Sequence, residues 1–240
     1  IAEDKIHTSP SILDINGELI IVAGSNDNHL YAINDDGSLR FSFEAQNKIN
    51  TSPSFLNYLN NCYIIFGDYD GWLYALDYNG NSLESFPINI GSVIIGSVVF
   101  ADLDLDMIPE IIFGTNIGDM YAISLDGSMY NQMPIPYSFE YHSAPIIHDI
   151  DDDGDLEIIA GTSLSMNAID IKQLGTTEGY WSMFKGGPNR SGLYSFLPFC
   201  DFGDINSDGN IDILDILVHI SIILNEIEPD NIQICAADLN

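Results

Sequence analysis

Apolar residues in this chain come in short runs divided by polar turns. Ser11–Ile15, Leu19–Ala23, His29–Ile33 and Leu39–Phe43 are each five residues long, and Asn16-Gly17, Ser25–Asn28 and Asp35-Asp36-Gly37 separate them. Runs this short, rich in Ile, Val, Leu, Tyr and Phe and bounded by Asn, Asp and Gly, predict four antiparallel strands joined by tight turns. The next stretch has the same form, with strands predicted at Tyr63–Phe66 and Trp72–Leu76 and a turn at Asn79-Gly80.

The pattern recurs. Thr8-Ser9-Pro10, Thr51-Ser52-Pro53, Gly96-Ser97-Val98 and Ser143-Ala144-Pro145 open successive units about 43 to 47 residues apart. Each unit reaches a Gly turn at Gly24, Gly67, Gly114 or Gly161, then a run of one shape: Leu30-Tyr31-Ala32-Ile33, Leu73-Tyr74-Ala75-Leu76, Met120-Tyr121-Ala122-Ile123 and Met166-Asn167-Ala168-Ile169. A period of this length with four strands per unit predicts β-propeller blades. The fold class expected is all-β, four repeats of four antiparallel strands forming part of a larger propeller, over residues 1–195. A linker at 196–199 and a small C-terminal module at 200–240 follow. Ala2–Pro10 (AEDKIHTSP) aligns with Ala45–Pro53 (AQNKINTSP), so residues 1–7 read as the tail of an earlier unit. Aromatic residues at fixed places in the repeats, Trp72 and the Leu-Tyr-Ala tyrosines among them, are expected to pack between blades.

Charge narrows the partners. The formal net charge is −30, with six Lys and Arg in 240 residues. Such a chain has no basic footprint for a phosphate backbone, so nucleic acid is excluded as a partner. Lys185 and Arg190 are expected to pair with the acidic surface. No apolar run is long enough for a membrane span.

Many carboxylates sit in loops with a ligand-like spacing. In the fourth unit Asp149, Asp151, Asp153, Asp155 and Glu157 alternate around Gly154. Alternation lets several oxygens converge on one hard cation, and Ca²⁺ takes six to eight. Side chains of Asp149, Asp151, Asp153 and Glu157 are the expected ligands, with the Asp155 carbonyl. A degraded copy, Asp102, Asp104, Asp106 and Glu110, has Met107 at the Gly position. Near the C-terminus Asp204, Asn206, Asp208, Asn210, Asp212 and Asp215, with Gly209 at position six, form an EF-hand-like calcium loop. An apolar helix is predicted directly after it, Ile213–Leu224. Cys200 and Cys235 precede two similar acidic motifs and are read as a disulfide, which implies an oxidising compartment. Cys62 is read as a buried thiol.

The acidic loops of the third and fourth units resemble FG-GAP repeats of integrin-type propellers. Asp70-Gly71-Trp72-Leu73-Tyr74-Ala75-Leu76-Asp77 resembles a quinoprotein-type blade. The C-terminal loop and helix resemble a type I dockerin, with a second copy beginning at Cys235-Ala236-Ala237-Asp238-Leu239-Asn240, so the chain reads as truncated at both ends. The resemblance implies structural calcium in the blades. It also implies partner contact at loop positions ten and eleven, here Ile213 and Leu214, with a cohesin-like protein or an intramolecular partner.

No catalytic constellation is present: there is no Gly-x-Ser-x-Gly, no His-Glu-x-x-His, and the five histidines lack ligand spacing. The expected function is a secreted, non-catalytic, calcium-binding propeller that attaches a larger extracellular protein to a protein, carbohydrate or cell-surface ligand. The alternative is the accessory tail of a secreted hydrolase, peptidase or polysaccharide lyase.

Overall fold

The computed structural model describes residues 2–15, 17–59, 61–196, 203–206, 208, 210–224, 226–227, 229, 233 and 236–237. The chain divides into two compact units, residues 1–14 with 18–194, and residues 15–17 with 195–240.

The first sheet contains β1 (Ser11–Ile15), β2 (Glu18–Gly24), β3 (His29–Asn34) and β4 (Leu39–Glu44), and the second contains β5 (Ser54–Tyr58), β6 (Asn61–Gly67), β7 (Trp72–Asp77) and β8 (Ile88–Asn89). The third contains β9 (Val99–Ala101), β10 (Glu110–Gly114), β11 (Asp119–Ser124) and β12 (Ile135–Pro136). The fourth has β13 (Ile146–His148), β14 (Asp155–Gly161) and β15 (Met166–Leu174). The turn glycines hold one register throughout: Gly24 faces Leu30, Gly67 faces Leu73, Gly114 faces Met120 and Gly161 faces Met166.

Two departures from four strands per sheet have one origin. The fourth sheet shows three strands, and β16 (Leu193–Phe196) adds beside β1, giving the order β16-β1-β2-β3-β4. Tyr180–Phe184 does not complete the fourth sheet but runs across first strands of the sheets. The Trp181 carbonyl accepts from Phe100 N–H at 2.9 Å and the Ser182 carbonyl from Ile147 N–H at 2.8 Å. A 3₁₀ turn at Phe184–Gly186 follows, and the Gly192 carbonyl accepts from Ile12 N–H at 2.7 Å. The Trp181 ring, buried edge-on against Phe55 and Tyr194, anchors this crossing. Burying so large a ring between sheets outweighs one more edge pairing.

Neighbouring sheets meet through their leading segments. Ser11 Oγ donates to the Pro53 carbonyl at 2.5 Å, and its repeat equivalent Ser54 Oγ donates to the Val98 carbonyl at 2.8 Å. Of the aromatics expected to pack between blades, Tyr74 does so: Phe43 of β4 lies edge-on to Phe66 and Tyr74 of the second sheet, whereas Tyr31 and Tyr121 stack on His29 and Phe113 of their own sheets.

The two terminal sheets each leave one face uncovered. Ile21 is 38% exposed, whereas its repeat equivalents Ile64, Ile111 and Ile158 are fully buried. At the other end Met166 is 76% exposed, whereas Leu30, Leu73 and Met120 are fully buried. The four sheets therefore form an open arc.

In the C-terminal unit, α1 (Ile213–Ile223) starts at Asp212, whose side chain caps the Leu214 N–H while Asp215 bonds back to the Asp212 N–H. This reciprocal cap fixes where the helix begins. Ile205, Ile222 and Ala236 form its small core. Cys62 is buried, and burial pushes its thiol pKa up. Cys200 and Cys235 lie outside the described residues.

Candidate metal centres and docking helix

Each acidic loop joins the first and second strands of its sheet. In the fourth sheet, oxygens of Asp151, Asp153, Asp155 and Glu157 all lie within 4.8 Å of one another. In the third, those of Asp102, Asp104 and Asp106 do the same. The donors are all carboxylate oxygens, which suits a hard cation such as Ca²⁺.

The fourth-sheet loop adds to the expected roles. Asp155 opens β14 and brings its carboxylate into the cluster, beside the role expected for its carbonyl. Asp149 is not among the four; its Oδ2 accepts from the Gly154 N–H at 2.9 Å and closes the turn, while its Oδ1 is buried without a partner and stays open to an ion. In the third sheet Asp102 does the same for Met107 N–H at 2.9 Å while remaining in its cluster.

Glu110 also falls outside its cluster, for a reason visible one strand away. Both of its oxygens are occupied, one by Leu103 N–H at 2.9 Å and the other by Ser124 Oγ at 3.0 Å. The residue facing Glu157 is Asp170, which has no hydroxyl to donate. Glu157 accepts from Ile150 N–H at 2.8 Å and still joins the cluster. Ser124 and Asp170 thus distinguish the two loops, a difference that aligning the repeats on their glycines exposes.

Electrostatics favours a cation at both places. Burial, with the neighbouring Asp153, pushes Asp155 up to about 6, while the Asp155 N–H holds Asp153 low. Burial, with the nearby Asp153 and Glu157 charges, raises Asp151. Glu110 is pushed up to about 7, chiefly by burial. Asp104 Oδ1, Asp149 Oδ1 and Asp155 Oδ1 are buried without a hydrogen-bond partner. Orphaned, mutually repelling oxygens of this kind are what a divalent ion satisfies. The residues present therefore fit calcium.

The C-terminal loop is organised differently. Asp215 is buried, and its two oxygens accept from Asn206 N–H at 3.1 Å and Asp212 N–H at 2.8 Å. Asp204 accepts from Asp208 N–H at 3.1 Å, and Asp208 accepts from Asn210 N–H at 2.9 Å. Among the described residues no three acidic groups of this loop come within 4.8 Å, and Asp212 and Asp215 serve as the helix cap. The donor set remains all oxygen, which fits a hard cation.

Ile213 and Leu214 open α1 and are 65% and 49% exposed, and Ile216, Leu217 and Ile220 extend the same uncovered helix surface.

Residues 202–240 match the dockerin type I domain. No curated protein sequence matches the chain. Among solved structures, the computationally designed Ika4 protein aligns at 15% identity over 71% of this chain and 93% of that one, with a TM-score of 0.50. BBS1N, crystallised with ARL6DN, aligns at 12% identity over 73% of this chain and 54% of its own, with a TM-score of 0.51. BamB from Moraxella catarrhalis aligns at 17% identity over 71% and 48%, with a TM-score of 0.49. The chain thus spans about half the length of BBS1N and BamB. BBS1N is a β-propeller, and the four sheets of this chain are propeller blades. The chain combines propeller repeats with a dockerin-type C-terminus.

Proposed function

We propose that the chain is a secreted, non-catalytic attachment module whose dockerin unit docks onto a cohesin-like protein and whose blades are stabilised by calcium. The observation that carries this reading is the dockerin match over residues 202–240, coinciding with a capped helix whose first residues are exposed and apolar.

Asp151, Asp153, Asp155 and Glu157 are the blade ligands, in the manner of FG-GAP loops, with Asp102, Asp104 and Asp106 as a second set. Bound calcium supplies positive charge that offsets carboxylate repulsion and ties the loop to β14. Asp204, Asn206, Asp208, Asn210, Asp212 and Asp215 form the dockerin site. Ile213 and Leu214 meet the partner through apolar contact.

The test is binding of the whole chain to immobilised type I cohesins, in millimolar calcium and again with excess chelator. Calcium-dependent binding that Ile213→Asp with Leu214→Asp abolishes supports the reading. Failure to bind across a cohesin panel, or binding indifferent to calcium and to the double variant, overturns it.

A further inference from the structure

The first strands of the second, third and fourth sheets are entered through small residues. Ser52, Ser97 and Ala144 hold the same place in the repeated landmark. Gly96 lets the neighbouring segment lie against it, since an added Cβ would stand 2.5 Å from the Ser143 carbonyl oxygen. Entries this slim leave space between them, and the crossing segment borders that space with Met183, Phe184 and Arg190. The result is a cavity of about 460 Å³, a size that suits a small molecule. Every residue around it lies between positions 50 and 190, within the blade unit.

The charge of this cavity runs against that of the chain. The protein carries 36 Asp and Glu against six Lys and Arg, yet among the described residues no carboxylate lines the cavity and an arginine does. Arg190 makes no ion pair among the described residues. Its N–H donates to the Gly187 carbonyl at 2.8 Å, closing a turn in which the residue takes a left-handed φ of 48°. A non-glycine residue held in that conformation costs energy and is characteristic of ligand sites. His142, also on the lining, has a carboxylate of its own, with Glu140 Oε2 at 3.3 Å from its Nε2. The Arg190 guanidinium is therefore open to an acid from outside.

The remaining lining describes the rest of such a ligand. Asn50 Oδ1 is buried with no hydrogen-bond partner. A buried acceptor left open in this way calls for an O–H or N–H donor. Ile95, Ile146, Met183 and Phe184 supply apolar surface.

We propose that this cavity binds a small hydroxylated carboxylate of the sugar-acid class. Its carboxylate pairs with the Arg190 guanidinium, a hydroxyl donates to Asn50 Oδ1, and its carbon skeleton packs on Ile95 and Phe184. One planar guanidinium offers a carboxylate a two-point hydrogen-bonded pair, whereas a doubly charged phosphate would meet a single cation on a chain of net charge −30. None of the lining residues belongs to the acidic loops or to α1, so the blades gain a ligand of their own whatever the dockerin unit binds.

Isothermal titration of the full chain, kept in calcium throughout, tests this with glucuronate and galacturonate, with short oligomers of each, and with glucose and galactose as neutral controls. Saturable binding of the acids at millimolar concentration or below is expected, without matching binding of the neutral sugars. Binding of the free acids assigns the ligand as a small molecule, and binding of the oligomers alone assigns it as part of a polysaccharide. Arg190→Gln, at an exposed residue, is expected to weaken the acids about ten- to a hundredfold, the usual worth of a charge-assisted hydrogen bond. Asn50→Leu is expected to weaken them too without lowering the melting temperature, since it removes a buried polar group that has no partner in the chain. No saturable binding of any acid, equal binding of the neutral sugars, or acid binding that both variants leave unchanged overturns the proposal.

Discussion

Lys185 Nζ lies 2.6 Å from Ser11 Oγ, a residue 174 positions earlier in the chain. The same ammonium donates to the carbonyls of Ser9 at 2.8 Å and Pro10 at 2.6 Å. The crossing segment is thereby fastened to the first blade. Lys185 is buried, and among the described residues neither it nor Arg190 forms an ion pair with a carboxylate, contrary to the sequence expectation.

Burial holds the Lys185 pKa down to about 8, below the 10.5 of a free lysine. Between those values the unfolded chain binds more protons than the folded one, so this residue makes stability rise with pH across that window. Tyrosines with raised pKa oppose the trend at the top of the range, so the useful quantity is a difference. The melting-temperature gap between wild type and Lys185→Met is expected to widen from pH 8 to pH 10. A gap that stays constant shows that Lys185 does not titrate there.

Trp181 joins three blades, with its ring on Phe55 and the crossing bonded to Phe100 and Ile147. Trp181→Ala is expected to cost about 3–5 kcal/mol, the usual range for removing a buried aromatic. Urea unfolding followed by far-ultraviolet circular dichroism measures it, and a loss below about 1 kcal/mol removes Trp181 from its anchoring role.

Met107 and Gly154 occupy equivalent turns, and both have positive φ, 70° and 94°. Only glycine takes that conformation without steric cost. Met107→Gly is expected to stabilise the propeller by up to about 1 kcal/mol, whereas Gly154→Met destabilises it, its Cβ lying 2.9 Å from Leu174 Cδ2. Thermal melts of the two variants in chelator give the signs directly.

The repeats were legible because landmarks such as Gly24 and Leu30 recur at fixed spacing, and a strand register follows from alternation alone. The acidic loops were legible as clusters for the same reason. Spacing did not reveal that Asp149 turns back to Gly154 N–H while Asp155 projects inward, because alternation states which residues can converge, not which already have a backbone partner. Nor did it reveal that Ser124 withdraws Glu110, a cross-strand relationship between residues 14 positions apart. The path of residues 180–196 was the least legible. Its place is set by packing of Trp181 and Lys185 on distant blades, which a local pattern does not encode. In the C-terminal loop, helix capping by Asp212 and Asp215 and the expected ligand positions fall on the same two residues, so sequence alone could not separate the roles.

Calcium-dependent melting of the full chain addresses the central claim most directly. At a hundredfold excess over Kd, linkage stabilises the folded state by about 2.7 kcal/mol per site, about 5–10 °C for a unit of this size. The propeller transition is expected to rise by that order per occupied site in calcium over excess chelator, and Asp151→Ala to remove the fourth-sheet site's share of the rise. A propeller melt that is the same in calcium and in chelator contradicts the assignment of Asp151, Asp153, Asp155 and Glu157 as a calcium site.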